Sequence, residues 1–216
     1  VQFISLGENC GYGGAINVAA RAARGRYLAF LNPDTTVEAG WLEPLIALLD
    51  REPETGLVTP LIVHMDSPDK VNTCGLDVHF TGFALCRELN RAASAITMRV
   101  EVGAISGAAF AMRRRDFVAL GEFDPAYFLY MEDTDLSWRA RLAGFRCVAE
   151  PQSVVLHSYR LRFGARKTYL QERNRYLLLL KHMRWRTLAL LLPALLVAEV
   201  VAEGLKQPAA ANFDSQ

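Results

Sequence analysis

The feature that most constrains this chain is an unbroken apolar run, Tyr27-Leu28-Ala29-Phe30-Leu31, that stops abruptly at Asn32-Pro33-Asp34. A run without polar alternation suits a strand covered on both faces. Proline cannot continue the ladder, and Asn-Pro-Asp turns the chain at the strand's carboxyl end. Upstream, residues 15–24 are alanine-rich with Ile16, Ala19, Ala20 and Ala23 at helical spacing, and Gly25 is a natural stop. Residues 1–6 alternate weakly, as a strand does, and residues 7–14 form a glycine-rich turn. The opening 34 residues therefore read as a right-handed βαβ unit. Ligands of such sheets bind beyond the carboxyl ends of the strands. That edge carries both the glycine turn and Asn32-Pro33-Asp34.

The same periodicities continue the α/β pattern. A helix is predicted over 40–51, burying Leu42, Leu45, Ile46 and Leu49, and a strand over 56–63. Residues 64–101 read as an irregular insertion with short strands near 78–85. A strand over 104–112, a short helix over 116–120, a helix over 136–143 capped by Gly144, and a strand over 145–149 follow. A helix is expected from 167 to 206, broken at Pro193, and residues 207–216 are expected to be disordered. The fold class is α/β with a mostly parallel, Rossmann-like sheet flanked by helices. The expected organisation is a catalytic domain over 1–166, a basic and apolar helical region over 167–206, and a tail.

Charge is unevenly distributed. Residues 1–159 hold 14 Lys/Arg against 19 Asp/Glu, whereas residues 160–186 hold nine Lys/Arg against Glu172 alone. Such a stripe suggests an anionic partner, but the overall charge of +1 carries no nucleic-acid signature. Cys10, Cys74, Cys86 and Cys147 form no C-x-x-C pair, which argues against structural zinc and for reduced, inert thiols in a cytoplasmic protein. The opening residues have no charged, apolar and cleavage regions of a signal peptide, and read as a strand already under way.

Four groups could carry chemistry. Asp34 stands where a carboxylate would share Mg²⁺ or Mn²⁺ with a substrate phosphate, although Asn-Pro-Asp is also ordinary turn chemistry. Glu132-Asp133-Thr134-Asp135 packs three acids at a helix start. N-capping explains some of them, and Asp135 is placed to pair with Arg139 at i,i+4; Asp133 can serve as a cap or as a general base. His157 ends an apolar run and suits either a core residue or a metal ligand. His64, His79 and His182 read as structural. Asn9, Gly11, Gly13 and Gly14 suggest a phosphate cradle but match no standard phosphate motif. Arg139 and Arg141 read chiefly as solvated helix residues.

In combination these segments resemble family 2 glycosyltransferases, particularly the bacterial rhamnosyltransferase-like branch. The resemblance rests on Asn9-Cys10-Gly11-Tyr12-Gly13-Gly14-Ala15-Ile16-Asn17, on residues 23–34, on Ser106-Gly107-Ala108, and on Gly121-Glu122-Phe123-Asp124. Its strongest part is Phe128-Leu129-Tyr130-Met131-Glu132-Asp133-Thr134-Asp135-Leu136-Ser137-Trp138-Arg139. It covers about residues 1–185 and implies a GT-A fold that lacks the family's usual amino-terminal strand. It further implies inverting, metal-assisted transfer from a nucleotide-diphosphate sugar to a glycan or lipid-linked acceptor. Asp133 would be the base. Asp34 would hold a divalent metal (Mg or Mn), with His157 as a second ligand. Asn9, Gly13, Gly14, Asn17, Asn32 and Asp34 would bind the donor, and Ser106, Gly107 and Glu132 the acceptor.

Residues 188–202 are apolar except for Glu199. Fifteen helical residues span about 22 Å, short of a hydrocarbon core of about 30 Å. With Lys181, Arg184 and Arg186 upstream, this reads as a helix on the inner membrane surface, or alternatively as one packed on the catalytic domain or in a homodimer. Beside sugar transfer, the chain can be read as a binding-only homologue, a nucleotidyltransferase, or a membrane-peripheral assembly module.

Overall fold

The computed structural model describes residues 2–159 and 164–211, with side chains through residue 198. In chain order the main elements begin with α1 (Gly11–Ala22), β1 (Tyr27–Leu31), β2 (Thr35–Val37), α2 (Leu42–Arg51), β3 (Thr55–His64) and β4 (Ser67–Thr73). Then come β5 (Leu76–Val78), β6 (Ala84–Cys86), β7 (Val100–Glu101), β8 (Ala109–Arg113) and α3 (Arg114–Ala119). The chain continues through α4 (Glu132–Leu142), β9 (Arg146–His157), α5 (Ala165–His182) and α6 (Trp185–Ala211).

The sheet is built around β3 and β9, which run parallel from Thr55↔Arg146 to His64↔His157. β3 is buried at nine of its ten positions, as a strand covered on both faces must be. Its Pro60 sits at a register shift, where a missing N–H donor is tolerated. The strand order is β1-β8-β3-β9-β2. Alternate side chains of β3 face opposite layers. Leu57 joins Phe30, Phe110, Phe117 and Phe123 under α1 and α4, whereas Val58 joins Leu45, Leu48 and Leu49 of α2. Phe30 stacks on Phe110 with ring centroids 4.2 Å apart, and Phe123 meets both edge-on.

Several expectations are corrected. Residues 2–6 form no strand, and Phe3 is 89% exposed. A strand needs a neighbour to receive its hydrogen bonds, and β1 pairs with β8 instead, so the opening βαβ unit does not form. Nor is the sheet mostly parallel: among the described strands only the β3–β9 pairing is parallel. Of the glycine turn, residues 7–10 are non-helical as expected, but Gly11, Gly13 and Gly14 form the first turn of α1 rather than a loop. Residues 64–101 are more regular than expected, since β4 extends the sheet beside β3 and β5–β6 form a hairpin. The carboxyl-terminal helices part at Met183, whose backbone is extended, while Pro193 lies inside α6. α6 runs to Ala211, into the segment expected to be disordered; residues 212–216 lie outside the described residues.

Part of the basic stripe turns inward, while Arg166, Arg184 and Arg186 stay exposed and Arg160 and Arg162 lie outside the described residues. Arg175 is buried, pairs with Glu172 and donates to the Thr81 carbonyl at 3.0 Å. Lys181 reaches Asp124 at 2.7 Å and Asp135 at 2.9 Å. Asp135, fully buried, also receives His182 at 2.7 Å, Arg139 at 2.8 Å and the Tyr127 hydroxyl at 3.1 Å. Burial alone would raise the Asp135 carboxyl; His182, Lys181 and Arg139 outweigh it and hold it well below the usual carboxylate range. The i,i+4 partner is as read from spacing, but Arg139 is not solvated. This cluster fastens α5 to α4. Replacing Asp135 by Ala leaves Arg139 and His182 without their buried acceptor, while Lys181 keeps Asp124, and should cost about 3–5 kcal/mol in urea denaturation.

Candidate active site

Two acid-bearing corners meet at one loop. The first forms where β1 ends. The Asn32 N–H donates to the Ala108 carbonyl at 2.9 Å, and the Asn32 carbonyl receives both the Thr35 N–H and its hydroxyl. This turn presents Asp34, whose own carbonyl receives the Ser158 N–H at 2.9 Å. β2 and β9 pair at Thr35↔His157, which brings the His157 ring to Asp34. His157 Nε2 lies 3.3 Å from Asp34 Oδ1. Its Nδ1 lies 3.0 Å from the Asn72 side-chain amide, so the ring is held from both sides, by Asn72 and by Asp34. Burial lowers the pKa of His157 and the Asp34 charge pulls the other way; the net direction is down, and the ring is neutral. The Asn32 side-chain oxygen is buried without a partner.

The second corner is the first turn of α4. Asp133 Oδ2 accepts the Gly107 N–H at 2.8 Å, and Oδ1 accepts the Thr134 N–H at 2.7 Å. A Cβ at Gly107 would stand 3.1 Å from Asp133 Oδ2 and 3.3 Å from its Cβ, so a side chain there would push the carboxylate by a few tenths of an ångström. The Tyr12 hydroxyl donates to the Gly107 carbonyl at 2.6 Å. Burial raises the Asp133 pKa against these hydrogen bonds. Glu132 is buried, one of its oxygens has no partner, and burial followed by the Asp133 charge pushes its pKa up to about 8. Neither acid caps the helix in the usual way, because the residue before it, Met131, is left-handed and offers no side-chain cap.

Residues 106–108 join the corners: Ala108 holds Asn32, and Gly107 holds Asp133. Lys167 lies between them. Its Nζ bonds the Tyr159 hydroxyl at 3.0 Å and stands 5.2 Å over the Tyr159 ring and 5.6 Å over the Tyr130 ring. Tyr159 stacks on His157, and Tyr130 precedes Glu132 by two residues. A cleft of about 510 Å³ opens beside Lys167, lined also by Asn9, Tyr12, Phe128 and Tyr130. A smaller one of about 260 Å³ lies against His157, Tyr159, Lys70 and Asn90.

The structure thus brings together Asp34, His157, Asn32, Asp133 and Glu132, and places Asn9 on the larger cleft. It puts four other residues to different use. Asn17 is buried, and its side chain clasps the Phe123 backbone in both directions, at 2.8 and 3.0 Å, so it has no atom left for a donor. Gly13 and Gly14 are packing positions, where a Cβ would meet Phe123 at 2.9 Å and Cys10 at 3.1 Å. Ser106 turns its hydroxyl to the Ala108 N–H, and Gly107 has both backbone groups engaged, so these two position Asp133 rather than face an acceptor. Tyr12, Asn72 and Lys167 were missed, and each is recognisable only by its partner. The thiols are all free; Cys74 and Cys147 are buried, and Cys86 is exposed.

The family model described as Glycosyl transferase family 2 matches residues 1–119. A probable N-acetylgalactosaminyltransferase 8 of Caenorhabditis elegans is 33% identical over 67% of this chain and 36% of its own length. An N-acetylglucosaminyl-diphospho-decaprenol L-rhamnosyltransferase of Mycobacterium tuberculosis is 30% identical over 73% of this chain and 58% of its own. The chain therefore spans a third to under three-fifths of these relatives. The crystal structure of GalNAc-T7 with UDP, GalNAc and Mn²⁺ matches at a TM-score of 0.60 and 20% identity, covering 78% of this chain and 34% of that one. That likeness shows the fold, a GT-A-type α/β sheet flanked by helices.

The raised Glu132 pKa makes a prediction with a definite sign. Between its unfolded value near 4.5 and its folded value of about 8, the folded state keeps a proton that the unfolded state loses. Stability from this group is fully present below about pH 4.5 and is lost as pH rises through about 8. Glu132→Gln should therefore match the native chain in urea denaturation at pH 4 and be the more stable of the two at pH 9.

Proposed function

This chain belongs to glycosyl transferase family 2, and we propose that its joined corners move a sugar from a nucleotide-diphosphate donor to an acceptor hydroxyl with inversion. One observation carries the reading: a single loop, 106–108, bonds the Asp34 corner through one residue and Asp133 through the next. Asp133 is the general base. Its raised pKa suits a group that must take a proton, and its fixed bonds to Gly107 and Thr134 hold its aim.

The Asp34 corner fits a divalent cation. Asp34 Oδ1 and His157 Nε2 lie 3.3 Å apart, and the buried Asn32 oxygen beside them lacks a donor. Hard oxygen and imidazole ligands suit Mg²⁺ or Mn²⁺. Among the described residues no group of three His, Cys, Asp or Glu gathers, which leaves positions for phosphate oxygens. When bound, the ion would offset charge on the departing diphosphate as a Lewis acid. Lys167, whose described partners are a neutral hydroxyl and two ring faces, supplies a second positive charge for the same diphosphate. Asn9 and Asn32 face the donor, and Glu132 supports the acceptor side.

A lipid-linked or glycan acceptor is supported by the rhamnosyltransferase relative, whose name specifies a diphospho-decaprenol substrate. Among the described residues no helix is long and apolar enough to cross a membrane. α6 nonetheless exposes Trp185, Leu190, Leu192, Leu196 and Val197 beside the exposed Arg184 and Arg186. That composition suits the inner membrane surface, with the apolar side chains among acyl chains and the arginines at anionic headgroups. A second copy of the chain is the other cover such a helix could take.

Two measurements test the reading. A turnover screen over UDP-, GDP- and dTDP-linked sugars should find activity that Asp133→Asn lowers by about 10²–10⁴. The same variant should bind UDP with Mn²⁺ as the native chain does, whereas Asp34→Asn should weaken Mn²⁺-dependent UDP binding at least about tenfold. Native turnover by Asp133→Asn would overturn the assignment. Separately, the chain should co-sediment with vesicles containing anionic phospholipid and lose this on deletion of residues 185–211, with high salt weakening it.

A further inference from the structure

The segment that delivers Asp133 is strained, and something must hold it. Phe128 lies at φ 60°, ψ −59°, and the Leu129 N–H reaches back to the Tyr127 carbonyl at 2.7 Å. Those are the marks of a γ-turn of the rare, strained kind. Tyr130 and Met131 follow at φ 71° and 69°, so three of the four residues before Glu132 occupy the left-handed half of φ space without being glycine. Such conformations are costly and persist only where the surroundings over-determine them.

The surroundings here come mainly from α5. Asn174, with no exposed surface, aims its amide nitrogen at three carbonyls of the strained segment: Tyr127 at 2.9 Å, Leu129 at 2.8 Å and Tyr130 at 2.6 Å. Its two N–H groups are thus shared among three acceptors. The amide cannot be turned over, because its oxygen is held by Arg173 Nε at 2.9 Å and Nη2 at 2.7 Å. Arg173 itself donates to the Ala126 and Tyr127 carbonyls. On the other side the Tyr12 N–H donates to the Phe128 carbonyl at 2.8 Å. An unpaired carbonyl in this interior would be costly, and the segment offers several close together.

We propose that Asn174 is a positioning residue for sugar transfer: by gathering the carbonyls of residues 127, 129 and 130 it keeps the strained turn closed, and so keeps the Asp133 carboxylate against the Gly107 amide and aimed at the acceptor hydroxyl. The inference rests on the reading of Asp133 as base, but the hold itself is a property of the fold and is measurable without turnover. Asn174 touches no reacting atom; it acts through the backbone that carries the base.

The test is amide hydrogen exchange combined with kinetics on the full chain, comparing Asn174→Ala with the native protein and with Asp133→Asn. In Asn174→Ala the Gly107 and Tyr12 amides should exchange at least about tenfold faster, while the amides of β3 and β8 keep native rates. Turnover on the nucleotide sugar found by the screen should fall about 10- to 100-fold, with donor KM within about threefold and the acid limb of the pH profile displaced. Asn174→Asp, which turns an acceptor toward three acceptors, should be worse than Asn174→Ala. If Asn174→Ala does not accumulate as folded protein, Asn174→Ser takes its place, with one hydroxyl for three carbonyls. Unchanged Gly107 exchange would overturn the proposal, and so would acceleration spread equally over β3 and β8, since that is general loosening. Native turnover by Asp133→Asn would remove the catalytic reading alone, and Gly107 exchange would still decide whether Asn174 holds the turn.

Discussion

Asp133 meets Gly107 at 2.8 Å, carboxylate oxygen to backbone N–H, in a space that a side chain at 107 would crowd. Much of the site's arrangement follows from that contact. The loop that offers the N–H is the one that receives Asn32 at its next residue and Tyr12 at its own carbonyl, so β1, α1 and α4 are all referenced to it. A hydrogen bond to a charged group is shorter and stronger than a neutral one. Here it also lowers a pKa that burial raises, leaving a carboxylate both fixed and basic. Rigidity and reactivity have the same origin.

The first turn of α4 shows how environment separates like groups. Glu132, Asp133 and Asp135 lie within four residues, yet Asp135 is held charged by His182, Lys181 and Arg139, while burial raises the pKa of both Glu132 and Asp133. Three adjacent full charges would repel, and the fold avoids this by assigning its internal cations to one of them. Asp135 is therefore structural and fastens α5. Among the described residues Asp133 has no cation paired with it, and it is proposed as the group that takes a proton. The distinction lies wholly in tertiary partners, and spacing alone could not have drawn it.

How much was legible in the sequence follows the range of the interaction. Local signals held: β1 ends at Leu31 before Asn-Pro-Asp, α2 covers nearly the predicted span, and Asp135 pairs with Arg139 one turn on. Signals that depend on a neighbour failed. Residues 2–6 have strand composition but no strand beside them, and sheet direction cannot be read from apolar runs, because a doubly covered antiparallel strand such as β8 is as uniformly apolar as a parallel one. At the site, position and resemblance singled out Asp34, Asp133 and His157, and the roles proposed for them rest on the geometry of the two corners. Asn17, Gly13 and Gly14 were misassigned because a glycine- and asparagine-rich start looks the same whether it cradles a phosphate or packs against Phe123. Tyr12, Asn72 and Lys167 carry no local signal at all.

The basic stripe of α5 makes the same point from the other direction. Nine cations against one acid read as a surface for an anion, yet Arg173, Arg175 and Lys181 satisfy carbonyls and carboxylates of the protein itself. Of the other described cations, Arg166, Arg184 and Arg186 are exposed, and Lys167 rests on the faces of Tyr159, beside His157, and Tyr130, just before Glu132. A cation over an aromatic ring is held in place without being neutralised, since the ring quadrupole attracts it and brings no compensating charge. The same helix therefore does two kinds of work: its buried turns hold the base-bearing segment through Asn174 and Asp135, and its first turn keeps a positive charge in reserve at the cleft. A helix that only bound anions would show its charges outward, and one that only packed would have no reason to leave Lys167 unneutralised.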